Sequence, residues 1–231
     1  MPKFDLDQTA LLADLFAVAR ENRDERWKER FYAAVPDATL MSFQPQVNAG
    51  PDYFLYFHLA IPDPGPLTPF CVSHILDFVL DNGFGIAIFG DSSRSPNPEW
   101  VFSYGDLLSF SLYGAFDAGS EHPGSTPEAA AGAQVLVASP SESYLPVRAR
   151  TVIGRFLREK FQHPDPRVAL ITDAHLQPEQ NLMINLTLAM YNGDDRKLRA
   201  ALGYVSWFLP QSYGLMPLPA GWSDSNFLAL A

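Results

Sequence analysis

The chain predicts an α+β protein of two tandem modules, each a mostly antiparallel sheet covered by helices, on three observations. One order of elements occurs twice: a charged helix, two β-rich runs, an amphipathic helix and a closing strand, across residues 24–89 and again across 146–218. Within each copy the apolar spacing switches between a period near 3.6 and a period of two, which separates helix from strand without any motif. Between the copies, residues 116–133 are rich in Gly, Ala, Ser, Pro and Thr, the composition of a connecting segment. The expected organisation is an N-terminal domain over residues 1–115, a linker over 116–133 and a C-terminal domain over 134–231.

The first helix is expected to start at Asp7, whose carboxylate can cap free backbone amides, because Leu11, Leu12, Leu15, Phe16 and Ala19 follow at helical spacing. Residues 20–30 mix charges of both signs and place Trp27 and Phe31 four apart on one face, so a second helix shows its charges to water. The period becomes two over residues 38–43 and 53–61. In the latter run Tyr53, Leu55, Phe57, Leu59 and Ile61 share one face, and Phe54, Tyr56, His58 and Ala60 the other. Neither face is strongly polar, which predicts a central strand covered on both sides, ended by the Pro-rich residues 62–66. Val72, Ile75, Leu76, Val79 and Leu80 trace a helix that stops at Asn82-Gly83, and residues 84–89 return as a strand. After a turn-rich stretch over 90–98, a short strand at 100–103 runs into Tyr104-Gly105-Asp106, which opens an apolar helix.

In the second copy, a strand over residues 134–138 precedes a helix carrying Val152, Ile153, Phe156, Leu157 and Phe161. Pro146 stands near its first turn, where a missing amide costs little. Strands over 167–172 and 181–190, a helix capped by Asp194 or Asp195, and a strand over 212–217 complete a β-α-β-β-α-β order.

Composition narrows the functional classes. A formal net charge of −10 argues against a nucleic-acid partner, whose sequence-independent affinity rests on Lys and Arg. The deficit is uneven: residues 1–115 hold 7 Lys/Arg against 15 Asp/Glu (7 − 15 = −8), and residues 116–231 hold 9 against 11 (9 − 11 = −2). Any charged partner of the first half is therefore cationic. Cys71 is the single cysteine, so no internal disulfide forms, and acids occupy the start where a signal peptide has its apolar core. A cytoplasmic location is expected. Residues 200–223 carry no charge, yet their three prolines and three glycines are incompatible with a membrane helix.

No catalytic set emerges. Cys71 and His74 have ligand-like spacing without a second pair, while His58 lies on a strand and His163 and His175 in turns, so no metal or cofactor is expected. Ser120-Glu121-His122 falls in the linker, Gly83-Phe84-Gly85 lacks a third glycine and follows a helix, and no phosphate-binding loop occurs. Asp77 with Asp81 reads as a solvated helix face. Asp106 reads as a helix cap beneath Trp100, Phe102, Tyr104 and Phe110. The aromatic supply is the main functional hint: Tyr56, His58, Trp100 and Tyr104, with Asp106, are the candidate binding residues. With Tyr113, Trp207 and Tyr213 such side chains suit a groove between the two halves.

Ser141-Glu142-Ser143-Tyr144-Leu145-Pro146 with Arg150, the helix that follows, the strands at 168–171 and 182–188, and the last strand before Pro217-Leu218 resemble the C-terminal domain of the enhanced-serine-sensitivity (SseB-like) proteins. Residues 11–31 and 100–108 are weakly similar to the N-terminal domain of that family. The resemblance implies a two-domain α+β bacterial protein, and it carries over no catalytic residue. The expected function is a non-enzymatic binding or regulatory protein that recognises a protein partner. The alternatives are a small-molecule sensor or enzyme with a pocket around Tyr104, Asp106 and His58, and a secretion-associated chaperone. A homodimer is compatible with all three.

Overall fold

The computed structural model describes residues 5–62, 69–90, 97–117, 136–172 and 180–230. Helix α1 (Leu6–Phe16) is capped by Asp5 and not by Asp7: the Asp5 carboxylate accepts the amides of Asp7 and Gln8 at 2.9 and 3.1 Å. The cap falls there because the Asp5 backbone is itself held, bridging to Ala38 and donating to the Asp37 carbonyl. Thr9 extends the anchor, since its hydroxyl accepts the Thr39 amide at 2.8 Å. Helix α2 (Glu25–Ala34) starts at Asp24, which accepts the Trp27 amide at 2.8 Å. Its Trp27 indole donates to the Leu15 carbonyl, closing α1 onto α2.

The first sheet has the order β3-β1-β2-β4-β5, from β1 (Leu40–Ala49), β2 (Leu55–Ala60), β3 (Pro69–Phe70), β4 (Gly85–Phe89) and β5 (Trp100–Phe102). β1 runs further than its alternating residues suggest, to Ala49, with a register irregularity between Ser42 and Val47 against β2. β2 is central and buried on both faces, as its two apolar sides require. It pairs in parallel with β4, and helix α3 (Val72–Asn82) makes the crossover. That helix ends at Gly83 in the left-handed conformation, φ 77°.

Register assigns the two faces of this sheet. Phe57, Leu59, Ile86, Ile88, Trp100 and Phe102 share one side, while Tyr56, His58, Gly85, Ala87 and Val101 share the other. Phe31 of α2 stacks on Phe102 at 5.8 Å, and Phe78 of α3 meets Phe57 edge-on at 6.0 Å. Both helices therefore lie on one side of the sheet, the split β-α-β arrangement. Arg23 ties the ends of this layer together. Its guanidinium donates to the carbonyls of Val18 and Phe16 and pairs with Glu99 at 2.7 Å, and it lies 4.7 Å from the Trp27 ring.

Helix α4 (Tyr104–Tyr113) follows, and the chain divides within it into two units, Met1–Leu107 and Leu108–Ala231. Phe116, the first residue of the expected linker, is buried and stacks on Phe110 at 4.5 Å, whereas residues 118–135 lie outside the described ones, Ser120, Glu121 and His122 among them. His175 lies outside them as well.

The second unit carries β6 (Leu136–Ala138), α5 (Val147–Phe161), β7 (Arg167–Thr172), β8 (Gln180–Ile184), α6 (Asp195–Ser206), β9 (Gly214–Pro217) and β10 (Leu228–Ala229). The sheet order is β10-β7-β8-β9, with β6 also on β7; β7 and β8 are antiparallel, β8 and β9 parallel. β8 stops at Ile184, short of the expected strand over 181–190. Asn185 next to it is a hub: its amide oxygen accepts His163 Nε2 at 2.9 Å and the Arg167 amide at 2.7 Å, and its nitrogen donates to the Asp165 carbonyl and the Asp224 carboxylate, both at 2.9 Å. Beyond it the backbone closes into a 3-10 turn over Leu188–Tyr191, whose Leu188 and Met190 are exposed. Ala169, Ile171, Met183 and Met216 on one face of this sheet are closed by Leu218 and Phe227.

The protein is thus an α+β fold of two modules in which α2-β1-β2-α3-β4 is answered by α5-β7-β8-α6-β9, each an antiparallel pair followed by a parallel one. The likeness extends to one position. The closing strand begins with glycine in both copies, Gly85 opposite Tyr56 and Gly214 opposite Asn181. A Cβ on Gly85 would stand 2.6 Å from both the Phe102 carbonyl and the Tyr56 ring, and one on Gly214 would overlap the Asn181 amide. No helix among the described residues is long and apolar enough to cross a membrane.

Gly85→Ala should therefore destabilise the protein by about 1–3 kcal/mol through overpacking. Gly203→Ala, on the exposed side of α6 where an added Cβ meets nothing within 4 Å, should stabilise it by about 0.5–1 kcal/mol. Urea unfolding of the two variants beside the parent checks both signs.

Candidate functional site

The five residues singled out from the sequence all lie in the first unit, where packing and capping employ them. Tyr56 is 5% exposed, lies between Gly50 and Gly85, and donates its hydroxyl to Asp52 at 2.5 Å. His58, half-buried, meets the Phe89 ring at 5.1 Å, and burial lowers its pKa. Trp100 stands on the opposite side of the sheet from Tyr56 and His58, packed with Trp27, Phe31 and Tyr32. A single groove lined by all of these side chains is therefore not formed. Tyr104 is fully buried. The Asp106 carboxylate accepts the Ser103 amide at 2.8 Å while the Ser103 hydroxyl accepts the Asp106 amide at 3.0 Å, a reciprocal cap on α4.

Among the surfaces the first unit leaves exposed is the outer side of α3. Helical spacing buries Val72, Ile75, Val79 and Leu80, so Ser73, His74, Asp77, Phe78, Asp81 and Asn82 face out. Phe78 is 50% exposed although its ring touches Phe57 and, at 6.1 Å, Phe84; Phe57 in turn meets Phe70 at 5.8 Å. Leu55, on the Phe57 side of β2, is 45% exposed. This aromatic strip belongs to a stretch of singular charge. Residues 31–93 contain no Lys or Arg and include Asp37, Asp52, Asp63, Asp77, Asp81 and Asp91. From the sequence, Asp77 and Asp81 read as a solvated face, and Phe78 is not among the candidate binding residues. The sequence signal for it is a phenylalanine placed between Asp77 and Asp81, outside the apolar spacing of Val72, Ile75, Val79 and Leu80.

Cys71 and His74, whose spacing is ligand-like, differ in surroundings: Cys71 is fully buried at the start of α3, with burial pushing its thiol pKa up, and His74 is exposed one turn on. No three metal-ligating side chains converge among the described residues.

In the second unit, residues 141–146 lead into α5. Glu142 accepts the Val147 amide at 2.9 Å and pairs with Arg150 at 2.5 Å, and Arg150 donates to the Leu145 carbonyl at 3.0 Å. The amide and the guanidinium hold the Glu142 carboxyl below its ordinary range. Tyr144 stacks on Tyr213 at 4.1 Å. Tyr213 gives its proton to the Tyr144 carbonyl at 2.7 Å, so at the 2.5 Å contact between hydroxyls Tyr113 is the donor. Burial raises the pKa of both Tyr213 and Tyr144. This chain of tyrosines locks α4's end, the α5 approach and the start of β9 to one another.

Comparison with known proteins gives no relative: no protein-family model matches the chain, no curated protein matches it, and no solved structure matches its fold.

The tyrosine chain makes stability depend on alkaline pH. An unfolded tyrosine ionises near pH 10, and the folded chain keeps both phenols protonated beyond that. Above about pH 10 the unfolded state therefore loses protons that the folded state holds, and stability falls as pH rises. Tyr213→Phe should cost about 1–2 kcal/mol at neutral pH through the lost hydrogen bonds, and it should flatten the decline above pH 10. Urea unfolding at neutral and alkaline pH, with tyrosinate absorbance followed in parallel, reads both effects.

Proposed function

We propose that the chain is a non-enzymatic binding protein of the bacterial cytoplasm that recognises a protein partner through the acidic, aromatic outer side of α3. The observation that carries this reading is Phe78, half in water on a helix whose neighbouring outward residues include Asp77 and Asp81. An exposed ring costs free energy in water, and aromatic anchors in a polar rim are what protein interfaces use. Acids around the ring add a sign: the partner presents apolar side chains flanked by Lys or Arg, and the charges steer the encounter more than they hold it. An amphipathic basic helix meets that description. A role within the SseB-like family is part of the same proposal, supported by residues 141–146 and Arg150.

The test is a fluorescence-anisotropy titration with a labelled amphipathic helical peptide of leucines and lysines. Binding to the parent should weaken about tenfold or more on Phe78→Ser, a loss of about 1.4 kcal/mol or more. It should weaken likewise on Asp77→Lys, and with added salt. Val101→Ser, a site of similar exposure on β5 (42%), should leave it unchanged. Equal affinities for all three variants and the parent would overturn the proposal.

A further inference from the structure

We propose that the partner of the α3 surface is a second copy of this chain, docked through the outer side of α5 and α6; the inference rests on the reading of α3 given above. Between these two helices Phe156, Phe161 and Tyr204 form a triangle of rings, with centroids 5.7 Å apart for Phe156–Phe161, 6.5 Å for Phe156–Tyr204 and 6.1 Å for Phe161–Tyr204. Phe208 lies beneath Phe156 at 4.9 Å and is buried, so the triangle is backed by core, while Tyr204 is 40% exposed.

The helices that carry these rings have the opposite charge to α3. α5 holds five cations (Arg148, Arg150, Arg155, Arg158, Lys160) and α6 three (Arg196, Lys197, Arg199), together eight of the sixteen in the chain, against Glu159 and Asp195. Several are engaged locally. Arg150 pairs with Glu142, Arg199 with Asp195 and Lys197 with Asp194, and Arg158 donates to the Leu230 carbonyl. Lys160 is exposed one turn beyond Phe156.

Each chain thus carries an exposed ring on α3, a helix whose charged residues are all acidic, and a ring cluster on α5 and α6, the helices that hold half of its cations. The two are complementary in sign and alike in apolar chemistry, which is what a contact between copies requires. Because the surfaces differ, the contact is heterologous, with one copy's α3 on the next copy's α5 and α6.

Sedimentation velocity of the full chain over a range of concentrations, at about 0.02 M and about 0.5 M salt, tests this. The parent should self-associate, and its association constant should fall about tenfold or more at the higher salt. Phe78→Ser combined with Asp77→Lys should give a monomer, and so should Tyr204→Ser combined with Lys160→Glu. Mixed in equal amounts, the two variants should re-form a complex, because each keeps one intact surface; this also shows that both remain folded. A parent that is monomeric throughout, or variants that associate as it does, would overturn the inference, as would a mixture that stays monomeric. If the parent is monomeric while the basic peptide still needs Phe78, the α3 reading stands and only the second copy falls. If neither self-association nor peptide binding responds to Phe78→Ser, both fall.

Discussion

Parallel pairing of the last two core strands is the constraint on which each module depends. An antiparallel pair such as β1 with β2, or β7 with β8, can be joined by a short turn. A parallel pair such as β2 with β4, or β8 with β9, must carry the chain back along the sheet, and α3 and α6 are the segments that do so. Each crossover returns to a strand that opens on glycine, because the side chain of the neighbouring strand already fills the space: Tyr56 over Gly85, and Asn181 over Gly214. The copies solve one packing problem with different side chains.

Polar side chains then fix what the sheets leave open. Arg23 spends its donors on two carbonyls and on Glu99 with the side chain only 9% exposed, which joins the end of α1, the approach to α2 and the edge by β5. Asn185 does the equivalent in the second unit with four hydrogen bonds. Groups this buried specify geometry because leaving any one of their partners unmet costs about 1–3 kcal/mol. The same economy explains the candidate residues. Tyr56 and Asp106 are polar side chains with internal partners, so their chemistry is directed inward, and the functional reading passes to side chains that remain outside.

Much of the fold was legible in residue order. The helical spacing in Val72, Ile75 and Val79, the alternation through residues 55–60 and the acid at Asp194 mark elements whose determinants are local, and the structure has them where spacing puts them. The repeat was legible for the same reason. Helix α1 was displaced by two residues because both Asp5 and Asp7 are good caps, and only the bridge from Asp5 to Ala38 chooses between them. β8 ended early because Asn185 serves partners far away in the chain, and apolar residues beyond it look like strand until those partners are known. The aromatic candidates were found as a class. Which side of the sheet each occupies depends on register, and Trp100 is separated from His58 by a single-residue alternation across β5 and β4.

By itself the sequence determined the element types, the two α+β modules, the acidity of the first half and the concentration of cations on two later helices, because propensity, periodicity and charge are properties of residues and their near neighbours. Tertiary structure decided which carboxylate caps, which strand is central and which aromatic rings remain in water. Those outcomes follow from long-range pairing, and burial is settled only when distant segments compete for the same surface. Phe57 and Phe78 are the instance: two phenylalanines in edge-on contact, one buried in a central strand and the other half in water on a crossover helix.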